Sequence, residues 1–524
     1  MFFEIKDKDL AGRIGKLRTK SGVVETPAFF PVINPFKQVK EVPPDKIFEI
    51  GFKQVITNAF IIKQNLGDKA KELGVKGVTG FKGVVMTDSG AYQLLIYGRG
   101  RIQIDPVEIV LYQKEIGSDI AVIADIPTRD DSTYDEALES VVETLRRARE
   151  VSPYIQGSDT LWVLPIQGGV YPELVAKSAR EGREIEGYEM YAIGSPVTVL
   201  EKYDFKKIVE MVVTAKMNLP LSKPIHLFGG GHPLIIPLMV ALGVDSFDSA
   251  SYILYARDDR YMTEHGTYKL NDLSYLPCEC EVCSRYTPEE LMKLDKLERS
   301  KLIAIHNLHV INRELKRTKT AIKEGRLWEL IEERARSHPA LREAFNEFIK
   351  YVEWVERLDS RFKGDAHAIF LYDVTSYYRT ELIRHRRNVL KRLKLKEGRT
   401  YVLLPGHPKE KPFRESSLLK KAFDRGLVKE SDEVLIYIPF FDIIPLDIDQ
   451  AYPYAQFEMP DEVDKTLIDN MFERVKKLIR EIPKNSEVLI ITCDSFPWSK
   501  AEVLKQVVEE VGVGNVKFAE VCVN

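Results

Sequence analysis

The order of apolar segments constrains the fold of this chain more than any other feature. The first 250 residues contain eight short β-rich runs, and charged segments with helical spacing separate most of them. Strands that alternate with helices predict a parallel sheet, and eight such units predict a closed (β/α)8 TIM barrel. An open doubly wound sheet is the alternative, although no glycine-rich dinucleotide loop follows the first strand. The eight runs are ETPAFFPVI, KQVITNAF, GVVMTD, DIAVIADI, LWVLPIQ, MYAIGS, PIHLFG and VDSFDS.

A second pattern follows the barrel. The 524 residues exceed one ordinary domain. A charged, strongly helical region runs from about Pro288 to Leu358, and the strand-like runs YVLLP, EVLIYIP and EVLIITCDS come after it. We therefore predict a catalytic barrel with closing helices over residues 1–358. A smaller C-terminal α/β domain is predicted over residues 359–524.

Composition limits the location and the partners. Hydrophobic residues make up 44% and charged residues 30%, a balance typical of soluble globular proteins. The first residues are too charged for a secretory signal, and no apolar run is long enough to span a bilayer. With five cysteines, a reducing compartment is expected, so we predict a cytoplasmic protein without a membrane partner.

One basic segment stands out against the net charge of −3. Residues 384–399, RHRRNVLKRLKLKEGR, carry eight Lys or Arg side chains and one Glu. Such a helix suits contact with nucleic-acid phosphates. A solvated helix neutralised by acidic neighbours is the alternative.

Three of the five cysteines lie within six residues, and a histidine follows them. Three thiolates and one imidazole are a ligand set for tetrahedral zinc, and four protein ligands indicate a structural site. The alternative is a group of buried cysteines beside an incidental helix histidine. The predicted ligands are Cys278, Cys280, Cys283 and His306.

Polar residues and glycines stand at the carboxyl ends of the predicted strands, where barrel enzymes place their chemistry. Each acid alone could be a helix N-cap, but seven such ends together favour a polar pocket. Carboxylates with divided roles suit glycosyl transfer, so this chemistry on a nucleobase is a hypothesis. The residues are Asn58, Asp88-Ser89-Gly90, Asp125, Gln167-Gly168-Gly169, Gly194-Ser195, Gly229-Gly230-Gly231-His232 and Asp248-Ser249.

Several ordered motifs resemble those of tRNA-guanine transglycosylases, with the archaeal, archaeosine-pathway branch nearest. They are MTDSGAYQ, IGSDIAVIADIP, IQGGVYPEL, AIGSPV, FGGGHP, FDSASYILYARDDRYMTEHG and CECEVC with its histidine. The resemblance is dense over residues 1–350 and looser beyond. It implies a zinc-containing barrel that exchanges guanine at position 15, in the D-arm of tRNA, for 7-cyano-7-deazaguanine. A covalent aspartyl-ribosyl tRNA intermediate in archaeosine biosynthesis is implied.

The same resemblance implies roles for individual residues. Asp248 would attack ribose C1′, and Asp88 would act as general acid and base. Asp245, three residues earlier, is the alternative nucleophile, although Asp248 holds the motif position. The implied base-binding residues are Ser89, Tyr92, Asp125, Gln167, Gly194 and Ser195, with Tyr92 stacking on the base.

The resemblance also implies partners. Besides tRNA and the base, it implies a homodimer formed through the zinc region. Archaeal enzymes of this branch end in a PUA RNA-binding module, and no segment here matches one. We therefore expect either a separate PUA-domain chain or sufficient contact through the barrel face and residues 384–399.

The alternative functions are an archaeosine-synthase-like paralogue, disfavoured because His407 replaces its motif cysteine, and a non-catalytic tRNA-binding subunit.

Overall fold

The computed structural model describes residues 2–91, 104–363, 366–512 and 515–522. The chain forms two compact units, Met1–Tyr351 and Val352–Asn524. The functional division at residues 358 and 359 stays a prediction. Within the described residues, no helix combines the length and the apolar character that crossing a membrane requires.

The first unit begins with a small antiparallel sheet that the sequence pattern did not reveal. Its strands run in the order β1-β2-β3, with Phe3 paired to Leu17 and Gly15 paired to Thr26. Phe3, Leu17 and Val24 pack with the inner side chains of the barrel in one apolar core. The strands are β1 (Phe3–Asp9), β2 (Gly12–Arg18) and β3 (Val23–Thr26).

The eight predicted runs form one parallel sheet in the order β4-β11-β10-β9-β8-β7-β6-β5. A parallel bridge between Val32 and Ile56 joins its two edges, and the Ile33 N–H donates to Ile56 O at 2.8 Å. The barrel is therefore confirmed, and the open sheet is wrong. The strands are β4 (Ala28–Pro31), β5 (Gln54–Asn58), β6 (Val84–Asp88), β7 (Ile120–Val122), β8 (Leu161–Ile166), β9 (Met190–Ile193), β10 (Ile225–Leu227) and β11 (Ser246–Ser249).

Helices separate the strands, as the sequence predicted, and several begin at capping residues. Thr133 forms a capping box with Glu136, and Asp295 accepts bonds from two backbone N–H groups of the longest helix. The helices of this unit are α1 (Pro44–Ile50), α2 (Ala59–Leu66), α3 (Lys69–Thr79), α4 (Pro106–Glu115), α5 (Tyr134–Ile155), α6 (Pro172–Gly182), α7 (Val197–Glu201), α8 (Phe205–Asn218), α9 (Ile236–Ala241), α10 (Ser251–Arg257), α11 (Pro288–Lys293), α12 (Lys296–Glu324), α13 (Leu327–Ala335) and α14 (Pro339–Ile349). A hairpin of β12 (Arg260–Thr263) and β13 (Gly266–Lys269) follows α10.

The second unit is an α/β domain built on a five-stranded sheet in the order β17-β16-β15-β19-β20. All neighbours are parallel except β16 and β17. The three strand runs read from the sequence are confirmed as β15 (Thr400–Pro405), β16 (Glu433–Ile438) and β19 (Glu487–Thr492). The others are β14 (Ile369–Phe370), β17 (Asp442–Pro445), β18 (Phe457–Glu458) and β20 (Val516–Glu520), and the helices are α15 (Val352–Leu358), α16 (Thr380–Arg392), α17 (Ser417–Asp424), α18 (Lys465–Glu481) and α19 (Ala501–Glu509).

Candidate active site

A cavity of about 920 Å³ opens at the carboxyl ends of the barrel strands. Among the described residues, its lining brings together three aspartates at the carboxyl ends of three strands, Asp88, Asp125 and Asp248, and it also includes Glu201 at the end of α7. Aromatic and basic side chains, several of them well exposed, complete part of the wall. These are Tyr203, Tyr255, Tyr268, Arg260 and Lys269. The cavity can therefore offer hydrogen-bond acceptors in its acidic part and stacking surfaces in its aromatic part.

Asp88 is the last residue of β6, and the strand fixes its side chain at the cavity wall. Its Oδ2 accepts hydrogen bonds from Asn58 Nδ2 and from the Gly90 N–H, each at 3.2 Å. Burial raises the pKa of Asp88 to about 7, and the negative charges of Asp125 and Asp248 act in the same direction. A carboxyl group with this pKa can both donate and accept a proton near neutral pH.

Asp125 follows β7 and is held by Gln167, which follows β8. Gln167 Nε2 donates to Asp125 Oδ2 at 2.5 Å, and Gln167 Oε1 accepts from the Thr128 N–H at 3.2 Å and from Ser195 Oγ at 3.1 Å. Burial raises the pKa of Asp125 to about 6, although the bond from Gln167 opposes the rise. Gln167 thus fixes the position of the Asp125 carboxylate.

Gly194 leaves the space that Gln167 occupies. A Cβ atom at residue 194 would lie 2.4 Å from Gln167 Nε2. The next residue, Ser195, has a φ of +58°, which is strained for a residue with a side chain. This backbone conformation accompanies the bond from Ser195 Oγ to Gln167 Oε1.

Asp248 lies in β11 with its side chain 13% exposed. Its Oδ1 accepts a hydrogen bond from the Gly229 N–H at 3.0 Å and lies 3.0 Å from His226 Nε2. Asp245, the alternative nucleophile, precedes the same strand and is fully buried. Arg13 binds both Asp245 oxygens, at 2.6 and 2.8 Å, so its carboxylate is engaged away from the cavity.

Comparison with known proteins places this chain in a family. A family model described as queuine tRNA-ribosyltransferase matches residues 7–340. A tRNA-guanine(15) transglycosylase of Saccharolobus solfataricus is 46% identical over 502 residues, which cover 94% of this chain and 97% of that protein. The chain belongs to the queuine tRNA-ribosyltransferase family. The tRNA-guanine(15) transglycosylase of Aeropyrum pernix is 44% identical, covering 99% of this chain and 100% of that protein. That of Methanocaldococcus jannaschii is 40% identical, covering 92% and 73%.

In this queuine tRNA-ribosyltransferase family member, the residues that the sequence analysis assigned to the site divide into three groups. Asp88, Asp125, Ser195 and Asp248 line the cavity. Ser89, Gln167 and Gly194 are buried outside its lining, and the Ser89 hydroxyl makes no hydrogen bond within the described part of the chain. Tyr92 lies outside the described residues. The catalytic and binding roles stay predictions.

The structure also adds site residues that sequence reasoning missed. His226 contacts Asp248, and Thr128 donates to Gln167 from both its N–H and its hydroxyl. The available signal for His226 was a polar residue inside the apolar run PIHLFG. Nothing in the sequence indicated which side chain on the neighbouring strand it would contact.

The predicted metal ligands of this family member come together as one group that can hold a metal ion. The three sulfurs and the ring nitrogen lie within 4.8 Å of one another. His306 Nδ1 faces Cys280 Sγ at 3.6 Å and Cys283 Sγ at 3.2 Å, while its Nε2 lies 2.9 Å from Met262 O. A carbonyl partner fixes the proton on Nε2 and leaves the Nδ1 lone pair for a metal.

The basic segment is less free than its composition indicated. Arg384 and Arg387 each contact Glu356 at 2.7 Å, and Arg386 lies over the Tyr377 ring at 3.6 Å. Lys391, Arg392 and Lys394 are exposed. Among the described residues, the exposed cations without an ion pair therefore lie in the second half of the segment.

Proposed function

We propose that the chain is a tRNA-guanine transglycosylase that exchanges guanine at position 15 of tRNA for 7-cyano-7-deazaguanine. Membership of the family and the names of its curated relatives support this function. The observation that carries it is the convergence of three carboxylates with different environments in one cavity. Glycosyl exchange needs one ionised acid and one acid that gains and loses a proton.

Asp248 supplies the nucleophile in this proposal. One carboxylate oxygen forms a bond to ribose C1′ while the bond from C1′ to the guanine nitrogen breaks. The electron pair of the broken bond stays on guanine, and Asp88 gives that base its proton. The tRNA is then held as a ribosyl ester of Asp248, and free guanine leaves the cavity.

The second half of the exchange reverses these steps. Asp88, now ionised, removes a proton from the ring nitrogen of the incoming 7-cyano-7-deazaguanine. That nitrogen bonds to C1′, and the Asp248 carboxylate departs with the electron pair of the ester bond. The pKa of about 7 for Asp88 supports both proton transfers near neutral pH.

Base recognition falls to the residues around Asp125. The Asp125 carboxylate can accept hydrogen bonds from the N–H groups on one edge of a guanine-type base. Its attachment to Gln167 supports this role because a fixed acceptor loses little conformational freedom on binding. We propose that the backbone of Gly194 and Ser195 assists in binding the base, together with the Ser89 hydroxyl, which has no hydrogen-bond partner among the described residues.

The proposed metal is structural zinc held by Cys278, Cys280, Cys283 and His306. Four protein ligands of these types favour Zn²⁺ and leave no position for a reacting water. Tyr261 supports the ligand set, since its ring stacks on His306 at 3.7 Å and its hydroxyl lies 3.3 Å from Cys283 Sγ.

The proposed macromolecular partner is tRNA. The aromatic and basic cavity wall and the exposed cations Lys391, Arg392 and Lys394 support contact with bases and phosphates. A cytoplasmic location, where tRNA is modified, follows as part of the proposal. The homodimer and the separate PUA-domain chain stay predictions.

A base-exchange assay tests this function. Purified chain is incubated with labelled 7-cyano-7-deazaguanine and tRNA carrying guanine at position 15, with adenine at position 15 as the matched control. We expect label in the first tRNA only, a covalent protein–tRNA adduct in a denaturing gel, and loss of both with Asp248→Asn. Asp88→Asn should also abolish exchange. Binding of tRNA without incorporation of label would contradict the proposal and favour the synthase-like role.

A further inference from the structure

A buried histidine on one barrel strand contacts both the proposed nucleophile and a serine on the neighbouring strand. His226 lies in β10 and is fully buried. Its Nδ1 is 2.8 Å from Ser246 Oγ, and its Nε2 is 3.0 Å from Asp248 Oδ1. In the parallel pairing of β10 with β11, His226 stands opposite Ser246. Ser246 and Asp248 lie two residues apart on one face of β11, so the imidazole spans both.

We propose that His226 is a positioning residue that holds Asp248 with one oxygen free for attack. The inference rests on the proposed function, in which Asp248 is the nucleophile. It assigns to His226 no contact with the base or the ribose. The polar contacts of its ring are with Asp248 Oδ1 and Ser246 Oγ.

The protonation of the ring follows from its two neighbours. The Ser246 hydroxyl can donate to Nδ1, which places the proton of a neutral imidazole on Nε2, where it donates to Asp248. The opposite tautomer would face a ring lone pair toward a carboxylate oxygen at 3.0 Å, which is repulsive when Asp248 is ionised. The aromatic neighbours Phe30 and Phe228 contact the ring and carry no charge.

Within the described part of the chain, two N–H groups donate to the nucleophile, and both reach the same oxygen. The His226 ring and the Gly229 N–H meet Asp248 Oδ1, while the Asp248 side chain lines the cavity. The carboxylate is thus fixed in rotation before substrate arrives, and Oδ2 is left to form the bond to C1′. When the ester breaks in the second half-reaction, negative charge returns to the carboxylate, and the two N–H groups stabilise it.

Substitution of His226 by two amides tests the proposal. The Gln side chain can place an N–H near the position of Nε2, whereas Asn is one carbon shorter. We expect His226→Asn to slow adduct formation by about 10- to 100-fold, with the dissociation constant for tRNA unchanged, and His226→Gln to restore most of the rate. Ser246→Ala should slow it by roughly three- to tenfold, since the tautomer is then less strongly fixed.

Adduct formation is measured in single-turnover experiments with saturating tRNA, beside thermal unfolding of each variant. If His226→Asn does not fold, Ser246→Ala decides. Equal rates for wild type, His226→Asn and Ser246→Ala would overturn this proposal alone. Equal slowing by Asn and Gln, parallel to a loss of stability, would make His226 merely structural and also overturn it. A wild-type chain that forms no adduct would overturn the proposed function, and this inference with it.

Discussion

The two ends of the barrel use the same residue type in opposite ways. Asp245 and Asp248 lie three residues apart around β11. At the amino end, Asp245 is fully buried, and both its oxygens bind Arg13 while one also accepts from the Ile225 N–H at 2.8 Å. At the carboxyl end, Asp248 faces the cavity. The oxygens of Asp245 are thus engaged in structural contacts, whereas the Asp248 carboxylate is accessible to a ligand in the cavity.

Other strands repeat the pattern at the amino end. Asp119 accepts from the Val85 N–H at 2.9 Å and the Ser21 N–H at 3.1 Å, and Glu189 accepts from the Trp162 N–H at 2.9 Å. These acids satisfy backbone donors where strands begin. At the other end, the pKa values of Asp88 and Asp125 are raised by burial. Burial also raises the pKa of Glu189 at the amino end, so what distinguishes Asp88 and Asp125 is that they line the cavity.

The Cys–His cluster can be compared with the acids at the amino end of the barrel. If its metal is structural, loss of the metal should affect stability, as loss of those acids should. Cys280→Ser, or removal of metal by a chelator, should lower the free energy of unfolding by about 5 kcal/mol or more, since loss of a metal belongs to the largest class of effects. Thermal and urea unfolding measure it. Cys522→Ser, at a half-buried cysteine outside the cluster, is the control and should change little. Metal-free protein of full stability would refute the structural role.

A direct contrast of the two aspartates comes next in size. Asp245→Ala leaves the buried Arg13 guanidinium without its carboxylate and should cost about 3–5 kcal/mol of unfolding free energy. Asp248→Ala should cost far less and still abolish base exchange. Urea unfolding and the exchange assay, run on both variants, give the result. If Asp245→Ala were as stable as Asp248→Ala, the assignment of the two barrel ends would be wrong.

The burial of Asp88 should make the free energy of unfolding depend on pH. Its pKa is about 7 in the folded chain and about 3.9 when unfolded, so the folded state binds more protons between these values. Stability from this group therefore falls as pH rises from about 4 to 7. Asp88→Asn should raise the unfolding free energy by about 1–3 kcal/mol at pH 8 and by little at pH 4. A gain of equal size at both pH values would contradict the raised pKa.

The exposed cations of α16 and the loop after it should affect binding more than stability. Replacement of Lys391, Arg392 and Lys394 by Ala should change the unfolding free energy by less than about 0.5 kcal/mol. The slope of log affinity for tRNA against log salt concentration should fall by about 2–3, if each cation meets a phosphate. Arg384→Ala, which breaks a contact with Glu356, is the matched control and should affect mainly stability. An unchanged slope would remove these cations from the interface.

The sequence revealed most where burial alone decides structure. All eight barrel strands were predictable because their apolar runs are buried and helices separate them. Strand β1 was missed because its sequence, FEIKDKD, contains two apolar residues and ends in four consecutive charged ones. Strand β17 is four residues long and lies close after β16. Short or charged strands depend on partners that are distant in sequence.

For the candidate site, too, the sequence indicated some features and not others. The positions of Asp88, Asp125 and Asp248 were predictable because barrel topology brings the carboxyl ends of strands together. The burial of Gln167, its bond to Asp125 and the contact of His226 with Asp248 were not, since each depends on which side chains neighbouring strands place opposite one another. Likewise, composition counted the charges of residues 384–399 but could not show that Glu356 engages Arg384 and Arg387.

The close approach of Gln167 to Gly194 has a consequence for how the barrel can evolve. The two residues share a volume that holds one side chain, because a Cβ at 194 would overlap the Gln167 amide. A residue with a side chain at position 194 is therefore compatible only with a shorter residue at position 167. The order of change is fixed as a result: substitution of Gly194 can follow the loss of the Gln167 side chain but cannot precede it.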